Sequence, residues 1–184
     1  AGLALTEDDL AIDLARRQRG YGRGARQTIE QDRARILAGV RHGRTLGSPI
    51  LLEVANRDWD NWTRVMQVGP LTDEDAAQLA ALAAEGNKRA QPVTRVRPGH
   101  ADLAGSLKYG FNDVRTALER SSARETTARV AAGGVARAFL RELGIEVWSF
   151  TAEVGGVAVD AARCTRSREE ADASPLRCPD PDAE

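Results

Sequence analysis

The sequence predicts an α+β fold, and three observations carry that prediction. Capping signals announce helices that begin after Thr6, Thr72 and Ser122. An alternating apolar pattern framed by glycines reads as a β-hairpin across 33–55. No apolar run approaches the ~18–20 residues that cross a bilayer, so the apolar segments are read as parts of a packed interior.

The first helix starts at the Thr6-Glu7-Asp8-Asp9 cap and places Leu10, Ala11, Leu14 and Ala15 on one face. It runs into Arg16-Arg17 and stops at Gly20-Tyr21-Gly22-Arg23-Gly24, where three glycines break any regular element. Residues 29–40 fit a helix face or a strand, and the strand is preferred. The turn at Gly43 and at Gly47-Ser48-Pro49 then leads into Pro49–Val54, read as a buried strand. Asn56–Trp62 is polar and aromatic and reads as a loop. An alanine-rich helix over 72–85, capped by Thr72 and closed by Gly86-Asn87, has little apolar bulk. Residues 71–91 are therefore expected on the surface, as a helix or insertion. Gln91–Gly99 is extended and punctuated by proline. Ser122 and Glu125 form a capping box before Val130, Ala131, Val135, Ala138 and Phe139, and Gly144 ends that helix. Ile145–Val157 alternates like an edge or hairpin strand, and 158–184 reads as a loop-like tail.

A chain of 184 residues suits one ordinary domain. The 42% hydrophobic content overstates the core, because 31 of those residues are alanine. Cys164 and Cys178 make no disulfide framework, which fits a reducing cytoplasm. The sequence opens at Ala1, almost directly on a helix start, and closes in an acidic stretch, so both ends read as cut from something longer.

The formal net charge of −1 conceals segregated blocks. Residues 1–15 sum to −4, 16–44 to +7, 95–141 to +5 and 169–184 to −5. Of the 26 basic residues 24 are arginine, whose planar fork matches phosphate and carboxylate. The arginine blocks therefore point to an anion site, with a solvated basic face as the plainer reading. Nucleic acid is disfavoured, because the pI is about 6.2 and few aromatics interleave the basic blocks.

Three constellations could carry chemistry. Arg17, Arg19, Arg23 and Arg26 surround the glycine loop as a possible phosphate or carboxylate cradle, or as ordinary surface arginines at a helix end. In Arg95-Val96-Arg97-Pro98-Gly99-His100-Ala101-Asp102, a rigid turn presents a histidine. The plainer alternative there is a structural histidine bonded to Asp102. Arg120-Ser121-Ser122-Ala123-Arg124 stands at a helix N-terminus, which favours anions, although capping alone explains much of it. His42 reads as a turn residue. No paired ligand spacing supports a metal site.

In this order the constellations resemble the chorismate synthase family. The matching strings are RRQRGYGRGARQTIEQDR at 16–33, GVRHGRTLGSPI at 39–50 and NRDWDNW at 56–62. They continue with RVRPGHAD at 95–102, KYG at 108–110 and RSSARETTARVAAG at 120–133, and SPLRCPD at 174–180 is a weaker echo. The resemblance implies a layered sandwich of sheet and helices, here incomplete, with 1–184 as its N-terminal portion. It implies a lyase of the shikimate pathway that forms chorismate from 5-enolpyruvylshikimate 3-phosphate by 1,4-anti elimination of phosphate. Reduced FMN would be the cofactor, with NADPH as a flavin reductant, and the family is typically a cytoplasmic homotetramer.

By motif, the resemblance implies His100 as the catalytic residue near the flavin. It implies Arg17, Arg23, Arg26, Arg97 and Arg124 as ligands of the phosphorylated dicarboxylate substrate. Arg17 and Arg23 also match positions associated with the pyridine nucleotide, and Arg120, Ser121 and Ser122 match a flavin-contacting segment. Arg19 departs from the glycine common in the family. The family's Gly-Glu-Ser-His-Gly motif and its second half are not in the sequence, so the 184-residue chain alone is expected to bind FMN weakly and to turn over nothing. The reading from another class is a non-catalytic, arginine-rich module for polyanions or nucleic acid.

Overall fold

The computed structural model describes residues 1–19, 32–163 and 168–184. Its elements in chain order are α1 (Glu7–Arg17), β1 (Ala34–Ala38), β2 (Val40–Arg41), β3 (Arg44–Thr45) and β4 (Leu51–Val54). A 3-10 turn at Trp59–Asn61 precedes α2 (Asp73–Ala84), α3 (Asp102–Tyr109), α4 (Arg115–Ser121) and α5 (Ala123–Glu142). β5 (Glu153–Val154), β6 (Val157–Ala158), a second 3-10 turn at Ala161–Arg163 and α6 (Arg168–Ala173) complete the chain. The fold is α+β, and no described helix is long and apolar enough to cross a membrane. Contacts divide the chain into two compact units, Ala1–Ala55 with Ala128–Glu184, and Asn56–Thr127.

In the first unit, α1 is fixed at its start by a reciprocal cap. Thr6 Oγ1 accepts from the Asp9 N–H, and the Asp9 carboxylate accepts from the Thr6 N–H at 2.9 Å. The apolar face this orients carries Leu10 and Leu14, both without exposed surface. Each contributes roughly 1.5–3 kcal/mol by that burial. They share a core with Leu5, Ala34, Ala131 and Ala138, so α1 packs on both β1 and α5. Alanine and glycine on α5 permit a close helix approach: a Cβ on Gly134 would stand 3.0 Å from Leu10 Cδ2.

The expected hairpin is a nested pair. β1 lies antiparallel to β4, with Ala34 opposite Val54 and Ile36 opposite Leu52. Between Ile36 and Ala38 the register shifts, and β2 and β3 form the inner ladder. Gly39 joins the two ladders at φ +87°, and a Cβ there would meet Pro49 O and stand 2.7 Å from Ile50 Cα. Glycine is required at this crossing for both reasons.

Three readings change. Pro49–Val54 was expected as a buried strand, yet β4 belongs to a two-stranded sheet with one open face, and Leu51 is 56% exposed. Ile145–Ala152 holds no strand; its alternation has no partner ladder, and only β5 and β6 pair. Residues 158–184, expected as a loop-like tail, contain α6 and fold back on the unit. Ala171, Cys178 and Asp180 are buried, and the Arg177 guanidinium donates to Arg16 O at 2.6 Å.

In the second unit, α2 carries the same reciprocal cap as α1, between Thr72 and Asp75, and it buries no residue. That agrees with its alanine-rich, bulk-poor sequence. α3 and α4 meet closely at Gly105, where a Cβ would stand 2.9 Å from Ala117 Cβ.

Gly39→Ala combines a left-handed backbone with a steric clash and should lower stability by about 2–3 kcal/mol. The midpoint of urea unfolding should fall with an unchanged m-value.

Candidate functional site

Within the second unit, the extended stretch before the histidine is pinned to the start of α4. Asp113 Oδ1 accepts from the N–H groups of Val93 and Arg115, at 3.0 and 2.9 Å. Val93 O accepts from Val114 N at 2.8 Å, and the Arg115 guanidinium donates to Gln91 O at 2.9 Å. The chain then reverses at Pro98-Gly99, where His100 N–H donates to Arg97 O at 3.3 Å. Proline supplies the first turn dihedral, and Gly99 takes φ +68°, as a type II turn requires. The turn brings Arg97 and His100 together over the first residue of α3.

That residue is Asp102, and its side chain has no exposed surface. Both carboxylate oxygens are occupied. Oδ2 accepts from Arg97 Nε at 2.9 Å and from the Arg97 main-chain N–H at 3.2 Å. Oδ1 lies 2.5 Å from His100 Nδ1 and 3.3 Å from Arg97 Nη2. These donors, the Arg97 side chain first, outweigh burial and hold the Asp102 pKa at about 2. Reciprocally, the Asp102 carboxylate raises the Arg97 pKa, and Glu119 on α4 adds to the effect. His100 keeps 27% of its side chain exposed. The site therefore consists of a solvent-reaching imidazole tied through one nitrogen to a buried carboxylate whose pKa is held well below the ordinary range.

Further along the same unit, Arg120, Ser121, Ser122 and Arg124 occupy the junction of α4 and α5. Ser122 is extended between the two helices, and its Oγ accepts from the Arg124 N–H at 3.2 Å. Ser121 Oγ donates to Ala117 O at 3.0 Å. Arg120 is 75% exposed and pairs with Glu125 at 3.3 Å. The capping serine is present as expected, while Glu125 is turned toward Arg120.

The first unit holds Arg17. Its guanidinium is 14% exposed and meets the buried Asp32 at 2.5 Å. Arg17 also lines a cavity of about 350 Å³ with Asp13, Arg16, Val130, Arg137 and Arg177. Arg23 and Arg26 lie outside the described residues. His42 adopts φ +50° in the exposed turn between β2 and β3, which matches its reading as a turn residue.

Sequence reasoning named Arg97 and His100, and the structure brings these two together. Asp102 was considered only as a structural partner. Its position two residues after the histidine was visible, and its complete burial was not. The ionic network of Arg16, Arg168 and Arg177 on Asp172 was not foreseen either.

The class defined by fold and site is an α+β domain that holds a histidine–carboxylate–arginine cluster among further arginines. The family model described as chorismate synthase matches residues 1–184. The chorismate synthase of Rubrobacter xylanophilus is 53% identical over 182 residues, covering 99% of this chain and 43% of that protein. Chorismate synthase 1 of Bacillus cereus is 52% identical over 188 residues, covering 100% of this chain and 45% of the relative. A solved structure titled "Crystal Structure of Chorismate Synthase" superposes with a TM-score of 0.63 at 35% identity, over 99% of this chain and 42% of that one. The chain belongs to the chorismate synthase family, and it spans under half the length of the relatives it matches.

Asp102 titrates near 2 when folded against an ordinary 3.8. A depressed folded pKa contributes stability that is fully present above 3.8 and is lost as pH falls through about 2. Arg97→Gln removes the principal cause, so the Asp102 midpoint should rise toward 3.8, as read by a carboxyl carbon-13 titration.

Proposed function

We propose that this chain carries the histidine and arginine portion of a chorismate synthase active site. The reaction is the 1,4-anti elimination of phosphate from 5-enolpyruvylshikimate 3-phosphate to give chorismate. One observation carries the reading: within the family's RVRPGHAD segment, His100 and Arg97 converge on the buried, ionised Asp102. The polyanion-module alternative has no support from the family match. The reaction makes the enzyme a lyase, and the family's cytoplasmic homotetramer is part of the same proposal.

Reduced FMN, when bound, would supply an electron-rich ring that assists the elimination. The junction of α4 and α5 fits such an anionic cofactor. Arg120 offers an exposed cation beside the N-terminus of a 20-residue helix, whose dipole favours phosphate. Ser121 and Ser122 belong to the same proposed cofactor segment. Arg17 and Arg23 are the proposed contacts of NADPH as flavin reductant.

The substrate brings a phosphate dianion and two carboxylates, and arginine forks suit all three. Arg17, Arg23, Arg26, Arg97 and Arg124 are the proposed ligands. Arg97 is 47% exposed, so it can meet an anion while its Nε–H remains on Asp102. His100 is the proposed proton donor or acceptor, because an imidazole can both take and give a proton, whereas the Arg97 guanidinium beside it only donates hydrogen bonds.

A chimera in which residues 1–184 replace the matching segment of the Rubrobacter relative tests the proposal. It should form chorismate with reduced FMN, and His100→Ala should lower kcat by roughly 10²-fold or more. The variant should still fold, with its urea midpoint lowered because the buried Asp102 loses one donor. A wild-type rate in His100→Ala would remove His100 from the reaction. The 184-residue chain alone should bind reduced FMN weakly and release no phosphate.

A further inference from the structure

The hydrogen bonds around His100 decide which of its two nitrogens can do chemistry. Asp102 remains ionised down to about pH 2, so near neutrality its oxygens only accept. At 2.5 Å from Asp102 Oδ1, His100 Nδ1 must therefore carry a hydrogen. In the neutral ring this leaves the lone pair on Nε2.

Arg97 could be thought to cap that lone pair, because its Nη2 lies 3.0 Å from Nε2. The same atom also lies 3.1 Å from Nδ1. The ring nitrogens flank Cε1, and an atom nearly equidistant from both at these separations cannot lie in the ring plane without pressing into that carbon. Nη2 therefore sits over the ring face. A face contact of this kind orients the imidazole while leaving the in-plane lone pair of Nε2 open.

The carboxylate is held as firmly as the ring. Its other oxygen accepts from Arg97 Nε and from the Arg97 main-chain N–H, both set by the Pro98-Gly99 turn. Its side chain has no exposed surface, so solvent does not compete for these bonds. Rotation of the carboxylate away from His100 would leave a buried oxygen without its imidazole donor.

We propose that Asp102 is a positioning residue that locks His100 in its Nδ1–H tautomer, so that Nε2 is the nitrogen that exchanges a proton with the bound reactants. Its bearing on catalysis rests on the function proposed above. The tautomer itself does not, and this allows the two to fail separately. Arg97 has a double duty: it keeps Asp102 ionised through Nε and holds the ring from above through Nη2.

Long-range proton–nitrogen-15 NMR of the 184-residue chain reads the tautomer directly, well above the ordinary histidine pKa of about 6.5. The sequence has two histidines, and His42→Gln assigns the spectrum. His100 should show a protonated Nδ1 and a bare Nε2, and Asp102→Asn should abolish that preference. A predominantly Nε2–H ring in the wild type overturns the proposal, as does an unchanged tautomer in Asp102→Asn. If Asp102→Asn does not fold, the wild-type spectrum and that of Asp102→Glu decide. In the chimera, Asp102→Asn should lower kcat roughly 10- to 100-fold, with KM within about twofold and partial recovery in Asp102→Glu. A matched fall in kcat and rise in KM would overturn the positioning role. A wild-type rate in His100→Ala would overturn the functional reading and leave the tautomer assignment intact.

Discussion

A carboxylate with no exposed surface has to be matched donor by donor, and around Asp102 that requirement shapes the turn, the helix start and the imidazole together. Its oxygens take two donors from the Arg97 side chain, one from the Arg97 main chain and one from His100. Removing any of them exposes a buried charge to incomplete solvation, a far greater penalty than the loss of a surface pair. The Pro98-Gly99 reversal is the backbone geometry that lets one arginine supply main-chain and side-chain donors at once. Asp102 is also the first residue of α3, where the helix dipole favours a negative charge.

A different economy governs the first unit. Its core depends on a few leucines and small residues, so much of its periphery is held by ion pairs between blocks of opposite sign. Asp9 and Asp13, from the acidic opening segment, meet Arg141 and Arg137 on α5. Arg16, from the most basic block, meets Asp172 in the acidic final block, and Arg177 and Arg168 share that carboxylate. Among the described residues, several charges of the segregated blocks are thus mated by the fold. Several of these arginines are engaged with carboxylates, so arginine abundance by itself does not single out ligand contacts.

What was legible in the sequence follows the range of the interactions involved. The caps at Thr6 and Thr72 use residues three positions apart, and both helices begin where the pattern placed them. The hairpin was legible because apolar alternation at Ile36, Ala38 and Val40 runs into the turn residues Gly43 and Gly47-Ser48-Pro49. The Ile145–Ala152 segment was misread because alternation becomes a strand only beside a partner. The packing of 168–180 was invisible because Arg16 and Asp172 are 156 residues apart. At the site, motif and turn chemistry indicated His100 and Arg97. The leading role of Asp102 required knowledge of its burial, which no local pattern reports.

Burial also explains why the cluster divides its labour as it does. An arginine that both neutralised Asp102 and capped the imidazole lone pair would leave the histidine chemically silent. With Nη2 over the ring face, the guanidinium supplies charge and orientation without consuming the lone pair. A lysine could not reproduce this, because its compact ammonium lacks the planar fork that reaches carboxylate, ring and main-chain neighbourhood together. The arginine at this position is therefore demanded by the geometry of one buried carboxylate, whatever anion its exposed edge also meets.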